Sequence, residues 1–430
     1  MAYVPLRYYL YEGNVVRVAR RATGTKPSSH VWDPDSASWD IGYSPGPQKL
    51  STWGEELSEA DVAERFSTNA LGDESDQRIG RVQALVEEHD ADAALLSSLP
   101  DVRWACGFTG SNGLLLVHAD GEADFLTDGR YRDQAAREVT NAKVHVTRRD
   151  LITYVDEQYL LRKGERVLFQ SDDVTVAGLG EWKDQLEQVE WTATEGLVRE
   201  LVAAKDEFEI SKLRAAQRLT EDVFKSITSL VWRGLTEREL ATEIVHQHRR
   251  EGAERMAFEP VVASGPNGAL PHARPTDRSF QQGDLVVVDM GGVVDGYASD
   301  MTRTVAVGEP GEEAREVYDV VRRAQEAALQ AARPGMRSDA LDAVAREVIE
   351  EAGYGSDFPH SLGHGLGLRT HEWPSVSYRR DYELPERAAL TIEPGVYRSR
   401  RFGVRIEDTV VLRKGEAENL TQAPKDLIVC

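Results

Sequence analysis

The chain has 430 residues, 41% of them hydrophobic, which is enough to fill the cores of two or three ordinary domains. Its 51 basic and 73 acidic residues give a net charge of −22, and so negative a surface repels nucleic acid and anionic membranes. No apolar run approaches the roughly 20 residues of a membrane span, and the opening MAYVPLRYYLYEG lacks the features of a signal peptide. We therefore predict a cytoplasmic protein with no nucleic-acid or membrane partner.

Cysteine is scarce. Cys106 and Cys430 cannot supply a disulfide framework or a thiolate metal site. Any metal must therefore be held by oxygen and nitrogen ligands. Cys106 has no base near it in the sequence, so we predict that it is a core residue.

The first 72 residues form a segment of their own. LRYYLYEGNVVRVARR alternates in a way that predicts a β-hairpin turning at Glu12, Gly13 and Asn14. The rest of residues 1–72 is rich in Gly, Pro, Ser and Trp and has no helical or strand period. We predict an N-terminal extension of unknown role.

Helix and strand patterns alternate from about residue 77. QRIGRVQALVEEHDADAALLSS predicts a helix and then a buried strand, and GLLLVHADGEADFLTDGRY predicts a hairpin. More such pairs follow to about residue 200. This order favours an α/β domain over residues 73–203.

A further domain is predicted over residues 204–430. It begins with a long helix, KDEFEISKLRAAQRLTEDVFKSITSLVWRG, which we expect to end at Gly234. Thr236 and Glu239 have the capping-box spacing that starts the next helix. An apolar hairpin follows, then two helices that end at Gly353, then a second hairpin, ALTIEPGVYRSRRFGVRIEDTVVL. The order of helices, hairpin, helices and hairpin favours a duplicated half-domain.

The two hairpins carry two symmetric pairs of carboxylates. Asp289 and Asp300 are equidistant from a point beside an Asp-Gly turn signal, so antiparallel pairing would place them opposite each other on one face. Glu393 and Glu407 are likewise equidistant from Arg400. A single aspartate near a turn is more often a cap or a solvated residue, but paired carboxylates in apolar strands need a cation to offset their charge.

FPHSLGHGLGLRTHE, between the hairpins, holds three of the ten histidines, His360, His364 and His371. We predict that His364, which lies between two glycines, joins the four carboxylates as a ligand. Four negative charges and one imidazole suit two divalent ions, with Mn²⁺ expected first and Co²⁺, Zn²⁺ or Fe²⁺ as alternatives. Two ions ~3.5–4 Å apart can share a water and lower its pKa.

These motifs resemble those of the pita-bread-fold metallopeptidases, in particular the Xaa-Pro peptidases aminopeptidase P and prolidase. The matching segments, in order, are VVASGPNGALPHARP, DMGGVVDGYASDMTRT, HSLGHGLGLRTHE, IEPGVY and VRIEDTVV. They span about residues 205–430, and residues 77–200, with GFTGSNGLLLV and LTDGRYRDQA, look like the creatinase-type N-terminal α/β domain of the same enzymes. The resemblance implies that a pita-bread catalytic domain follows this N-terminal domain. The fold class that it implies for the chain is α/β (α+β).

The resemblance also implies a ligand set for two metals. The five residues are Asp289, Asp300, His364, Glu393 and Glu407. Among them, Asp300 and Glu407 would bridge the ions. This agrees with the hairpin argument.

Roles for the other candidates also come from the resemblance. His272 would lie beside the proline or the leaving group, and His360 and His371 would line the cleft. In the implied mechanism a bridging hydroxide attacks the scissile carbonyl, Glu393 takes its proton, and His371 or His360 stabilises the oxyanion.

Strand spacing adds one residue. Arg405 lies two residues before Glu407, hence on the same face, where it could orient the carboxylates. Tyr397 would assist in substrate binding. Outside these motifs, His272 would read as an ordinary loop residue and Arg405 as a surface ion-pair partner.

The resemblance implies a metal-dependent Xaa-Pro aminopeptidase that hydrolyses the bond between an N-terminal residue and a following proline. Prolidase, which accepts only Xaa-Pro dipeptides, shares every motif; we favour the aminopeptidase because FTGSNG and TDGRYRDQA look more like its N-terminal domain. Methionine aminopeptidase is disfavoured because the extra domain does not suit it. Creatinase is disfavoured because it acts without metal, whereas the ligand set here is complete. A non-catalytic binding or chaperone module would lack several ligands. The relatives also imply proline-containing peptides as substrates and a homodimer or higher homo-oligomer.

Overall fold

The alternating segment at the N terminus forms a β-hairpin. In the computed structural model, which describes residues 7–11, 14–18, 72–230 and 232–430, strand β1 (Arg7–Tyr11) pairs antiparallel with β2 (Asn14–Val18). The contacts divide the chain into Met1–Asn69, which holds this hairpin, and Ala70–Cys430. The predicted turn at Glu12 and Gly13, and the rest of the predicted extension up to residue 71, lie outside the described residues.

The first part of the second unit is a six-stranded sheet with helices around it. In chain order its elements are α1 (Gly72–Glu88), β3 (Ala93–Leu96), α2 (Leu99–Cys106), β4 (Leu114–His118), β5 (Ala123–Asp128), α3 (Arg132–Glu138), β6 (Lys143–Thr147), α4 (Leu151–Glu157), β7 (Arg166–Gln170), α5 (Val176–Gln185), β8 (Glu190–Thr194) and α6 (Arg199–Ala203). The strand order is β6-β5-β4-β3-β7-β8. Only the β5–β4 and β4–β3 pairs are antiparallel.

Both faces of this sheet are buried. Alternate residues of β3 enter two different apolar clusters, Ala94 and Leu96 on one side and Ala93 and Leu95 on the other. A strand covered on both faces needs a continuous apolar run, which is what AALL provides. Cys106 is buried in one of these clusters, as predicted, and burial raises the pKa of its thiol to about 12.

The remaining elements form the larger part of the unit. In chain order they are α7 (Glu207–Thr228), α8 (Glu237–Arg250), β9 (Arg255–Met256), β10 (Val261–Ser264), β11 (Leu285–Met290), β12 (Gly292–Val294), β13 (Tyr297–Ala298), β14 (Met301–Ala306), α9 (Glu312–Ala331), α10 (Ser338–Glu351), β15 (Gly363–Gly365), β16 (Glu372–Val376), β17 (Ala389–Ile392), β18 (Gly395–Arg398), β19 (Phe402–Arg405), β20 (Asp408–Val411) and β21 (Glu418–Asn419).

Two similar halves make up this part. Helices α7 and α8 pack on β11 and β14 through one apolar cluster, and helices α9 and α10 pack on β17 and β20 through another. Each half is thus a helix pair on an antiparallel hairpin, as the predicted order of elements requires. The predicted domain boundaries at residues 72 and 203 remain predictions.

Local signals at the helix ends were mostly predicted correctly. Thr236 and Glu239 form the capping box of α8, with Glu239 N donating to Thr236 Oγ1 at 3.2 Å and Thr236 N donating to Glu239 Oε2 at 2.8 Å. The preceding helix, α7, ends at Thr228 rather than at Gly234. The chain folds back there because the buried Trp232 donates its indole N–H to Ile227 O at 2.8 Å.

The register of the first hairpin differs from the prediction by two residues. Asp289 pairs with Thr302, not with Asp300. The turn is centred between Asp295 and Gly296, which have positive φ values of 49° and 84°, and Asp300 lies in the break between β13 and β14. Asp300 remains on the face of Asp289, two residues before its partner, because side chains alternate along a strand.

The register of the second hairpin is confirmed. Its pairs are centred on Arg400, which has a φ of 60°, and this places Glu393 opposite Glu407. Both glutamates lie at the breaks between consecutive strands. None of the described helices has the length and apolarity that a membrane crossing requires.

Candidate metal centre

Nearly all the predicted site residues meet at one cavity of about 480 Å³ between the two halves. Those lining it are His272, Asp289, Asp300, His360, His364, His371, Glu393, Arg405 and Glu407. The tenth, Tyr397, lies directly behind this wall, with its hydroxyl 2.9 Å from both His360 Nε2 and Arg405 Nη1.

The tightest group consists of Asp300, His364 and Glu407, which offer one ligand atom each within 4.8 Å of one another. Glu393 extends this group, with Oε1 at 3.5 Å from His364 Nε2, and Asp300 Oδ2 lies 3.6 Å from the same nitrogen. Asp289 Oδ1 is buried and has no hydrogen-bond partner among the described residues. An unpaired buried carboxylate oxygen beside three other carboxylates fits a site built for cations.

The pKa values of the clustered carboxyl groups also indicate a cation site. Burial, reinforced by the neighbouring carboxylates, raises the pKa of Asp300 and of Glu407 well above the ordinary range. Burial raises the pKa of Glu393 to about 7. Positive charge placed among these groups would stabilise their ionised forms, as a bound divalent ion does.

Hydroxyl groups from both hairpins fix the carboxylates. Thr302 donates to Glu407 Oε2 at 2.7 Å, and Thr391 donates to Glu393 Oε1 at 3.2 Å while accepting from His364 N at 3.0 Å. Sequence reasoning missed both threonines. The signal that could have found them is the strand period, because Thr391 lies two residues before Glu393.

His364 is oriented by its own backbone. Its Nδ1 lies 3.0 Å from Gly365 O, so the Nδ1–H is donated there and Nε2 is left with a lone pair towards the carboxylates. Burial also lowers the pKa of His364, which keeps the ring neutral and able to bind a metal.

Arg405 is buried, which excludes the surface ion-pair reading. Its guanidinium donates to Asp289 Oδ2 at 2.7 Å, Thr302 Oγ1 at 3.0 Å, Tyr397 OH at 2.9 Å and Pro271 O at 3.0 Å. The carboxylate that it contacts belongs to Asp289, in the other half, and not to Glu407. The guanidinium of Arg405 therefore connects the two hairpins with each other and with the loop that carries Pro271, just before His272.

The other two cluster histidines differ in what they can donate. Burial lowers the pKa of His360 to about 4, and its ring is fully engaged, with Nδ1 at 2.8 Å from Ser361 O and Nε2 at 2.9 Å from Tyr397 OH. Burial also lowers the pKa of His371, but the structure gives its ring no hydrogen bond to any residue described in 72–230 or 232–430. His371 lies against His364, with ring centroids 4.2 Å apart.

The loop before β11 carries His272 to the rim of the cavity, where it is exposed. Arg274, two residues later, also lines the cavity and is exposed. It makes no side-chain hydrogen bond or ion pair with the part of the chain that the structure describes. Sequence reasoning missed this residue, although it lies in the quoted motif PHARP.

Comparison with known proteins places the chain in a family. The model of "Metallopeptidase family M24" matches residues 211–414, and that of "Creatinase/Prolidase N-terminal domain" matches residues 78–201. The Xaa-Pro dipeptidase of Pyrococcus horikoshii is 33% identical, over 82% of this chain and 99% of that protein.

Solved structures agree. The Xaa-Pro dipeptidase from Bacillus anthracis is similar with a TM-score of 0.79 and 34% identity, over 83% of this chain and 100% of that chain. The X-Pro aminopeptidase from Thermotoga maritima is similar with a TM-score of 0.75 and 36% identity, over 79% of this chain and 98% of that chain.

The chain therefore belongs to metallopeptidase family M24, with a creatinase-type N-terminal α/β domain and a C-terminal pita-bread domain. It is an enzyme of that family, and membership implies divalent metal ions. The donor set at the cavity fits such ions, because it offers hard carboxylate oxygens, one of them unpaired, and one neutral imidazole.

The contacts of Arg405 yield a prediction about metal affinity. Arg405→Lys keeps the positive charge but cannot reach Asp289, Thr302 and Tyr397 at once, so Asp289 loses its fixed orientation. We expect affinity for Mn²⁺ to fall about 10- to 100-fold, as when outer partners of metal ligands are changed. Calorimetric titration of metal-free protein measures this. Arg398→Lys, on the neighbouring strand β18 and half-buried, is the matched control, and equal affinities in both variants would contradict the role of Arg405.

Proposed function

We propose that the protein is a prolidase, which hydrolyses Xaa-Pro dipeptides with the help of two divalent ions. The single observation that carries this proposal is the convergence of four carboxylates and His364 at one cavity. The relatives named Xaa-Pro dipeptidase, which match almost over their whole length, support the substrate class. They favour prolidase over the aminopeptidase reading that we preferred from the sequence.

The residues that we propose would hold the ions are Asp289, Asp300, His364, Glu393 and Glu407. The four carboxylates would balance two divalent charges. When bound, such ions would polarise the scissile carbonyl and make the attacking water more acidic. Mn²⁺ is the ion that we expect, because oxygen ligands outnumber nitrogen here.

The side chains of this site would handle the protons. Glu393, ionised beside the bound cations, would take a proton from the attacking water and pass it to the proline nitrogen as the amide bond breaks. His371 would donate its ring N–H to the developing oxyanion. Of the two histidines left open by the sequence, His371 suits this role better, because both ring nitrogens of His360 already have partners.

Recognition of a dipeptide also requires a cation for its carboxylate, and we assign this to Arg274. Arg405 lies deeper, but its donors are already engaged by Asp289, Tyr397 and Pro271. Burial keeps His360, His364 and His371 neutral. Arg274 is always charged and stands at the cavity rim.

The second candidate is an Xaa-Pro aminopeptidase acting on longer peptides. The similarity to the X-Pro aminopeptidase of Thermotoga maritima supports it. The two functions differ in whether the substrate ends at the proline. A homo-oligomeric state and a cytoplasmic location stay predictions.

A substrate panel tests the proposal. Protein loaded with Mn²⁺ should release proline from Gly-Pro and Ala-Pro, with little cleavage of Arg-Pro-Pro or of Gly-Ala. Proline release is measured by chromatography. Cleavage of the tripeptide at a kcat/KM equal to or above that of the dipeptides would favour the aminopeptidase, and no cleavage before proline with any of the four candidate metals would contradict both.

Arg274→Gln tests carboxylate recognition. We expect KM for Gly-Pro to rise about 10-fold with kcat nearly unchanged, since a charge-assisted contact of roughly 1.5–3 kcal/mol is lost. Gly-Pro-amide, which lacks the carboxylate, should be cleaved equally by both proteins. Arg333→Gln removes the same charge from an exposed loop outside the cavity and should leave KM and kcat for both substrates unchanged. Equal losses on Gly-Pro and its amide would contradict the assignment.

A further inference from the structure

The loop that carries His371 is held from both sides by charged groups. We call residues 366–372 the His371 loop. Two residues before His371, Arg369 forms an ion pair with Asp101 of helix α2. One residue after His371, Glu372 forms an ion pair with Lys205, at the junction between α6 and α7. Both anchors lie more than 160 residues away in sequence.

The Asp101–Arg369 pair is bidentate. Arg369 Nη1 donates to Asp101 Oδ1 at 2.8 Å and Nη2 donates to Oδ2 at 2.9 Å. Asp101 is itself buried and fixed, because Gln170 Nε2 donates to its Oδ2 at 2.6 Å. Gln170 Oε1 in turn accepts from the backbone N–H groups of Ser97 and Ser98 at 2.9 and 3.0 Å. Two parallel bonds to a rigid carboxylate fix direction as well as distance.

The Lys205–Glu372 pair is more deeply buried. Lys205 Nζ lies 2.6 Å from Glu372 Oε2, and the two side chains are 1% and 4% exposed. Lys205 Nζ also donates to Val202 O at 2.7 Å, and Glu372 Oε1 accepts from Arg369 N at 3.0 Å. The carboxylate of Glu372 therefore also fixes the backbone of Arg369, the loop residue of the other ion pair. Breaking it would leave a buried charge without a partner, so it is a firm attachment.

Close packing sets the loop against the metal centre. A Cβ at Gly367 would lie 2.4 Å from Glu372 Oε2 and 2.6 Å from Lys205 Nζ, so a larger residue there would displace the buried ion pair. Gly367 O accepts from Ala298 N at 2.8 Å, two residues before Asp300. The loop is thus fixed to the segment that carries one of the proposed ligands.

On its other side the loop borders open space. A second cavity of about 390 Å³ lies there, lined by Asp101, Arg369, His371 and Trp373 among others. Apolar packing does not close this side of the loop. The Asp101–Arg369 pair lines this cavity and anchors the loop two residues before His371.

We propose that Asp101 is a positioning residue for catalysis, which acts through Arg369 to hold His371 beside the metal centre. The creatinase-type domain would thereby complete the active site of its own chain without touching the substrate. This inference rests on the proposed function, in which His371 donates to the oxyanion. Arg369 and Asp101 then determine how accurately the ring N–H of His371 is oriented towards the oxyanion.

The test combines Asp101→Asn with His371→Ala in one cycle, in Mn²⁺-loaded protein with Gly-Pro as substrate. We expect Asp101→Asn to lower kcat about 10-fold and His371→Ala about 100-fold, because misaimed and missing oxyanion donors mainly affect the transition state. KM and bound metal should stay at wild-type values. The double variant should match His371→Ala, because Asp101 has no effect once His371 is gone.

Three controls accompany the cycle. Asp172→Asn removes a carboxylate from the same second cavity, at an exposed residue, and should leave kcat unchanged. Arg369→Lys keeps a charge opposite Asp101 and should retain more activity than Arg369→Met. If Asp101→Asn does not fold, as judged by thermal unfolding, Arg369→Met replaces it in the cycle, since its side chain is 37% exposed and easier to change.

The outcomes separate the two claims. Wild-type kcat in Asp101→Asn, together with low kcat in His371→Ala, would overturn the inference and leave the proposed function intact. Multiplied losses in the double variant would mean that Asp101 acts independently of His371, which also overturns it. Wild-type kcat in His371→Ala would contradict the role of His371 in the proposed function and the inference with it.

Discussion

Mutual repulsion among four carboxylates that converge at one cavity, two of them buried and two partly buried, is the constraint on which the rest of this structure depends. Asp289, Asp300, Glu393 and Glu407 line one cavity, and burial raises the pKa of three of them. A fold would not bring such groups together for stability alone, because each loses the solvation of its charge. Divalent cations remove that penalty, and the same cations supply the chemistry of a metallopeptidase.

Both halves of the pita-bread domain contribute residues to this site. Each half places two carboxylates at the ends of an antiparallel hairpin whose outer face packs on a pair of helices. Arg405 connects the halves by contacting Asp289 from the opposite hairpin. The creatinase-type domain adds Asp101, which reaches the loop of His371 from outside. Both halves of the pita-bread domain and the creatinase-type domain thus contribute contacts at or around the centre.

Sequence alone predicted the parts of the site that follow from short-range rules. The register of Glu393 and Glu407 followed from simple symmetry because strands β18 and β19 are regular and the turn at Arg400 is tight. The pairing of Asp289 was wrong by two residues because the turn is centred between Asp295 and Gly296, one residue later than the sequence symmetry suggested. The early end of α7 at Thr228 depends on a tertiary contact, because Trp232 turns inward there.

Long-range polar contacts could not be predicted at all. Asp101 and Arg369 are 268 residues apart, and no spacing rule joins them. Arg405 was placed on the right face, but the strand period says nothing about which half lies opposite, so it could not single out Asp289 as the carboxylate that Arg405 contacts. The choice between His360 and His371 required the partners of each ring nitrogen, which only coordinates supply.

Anomalous diffraction from crystals grown with Mn²⁺ would test the central claim most directly. We expect two anomalous peaks per chain, both within coordination distance of the carboxylates of Asp300 and Glu407, with His364 Nε2 bound to one ion. Peaks located elsewhere, or none at the cavity in crystals saturated with the metal, would contradict it.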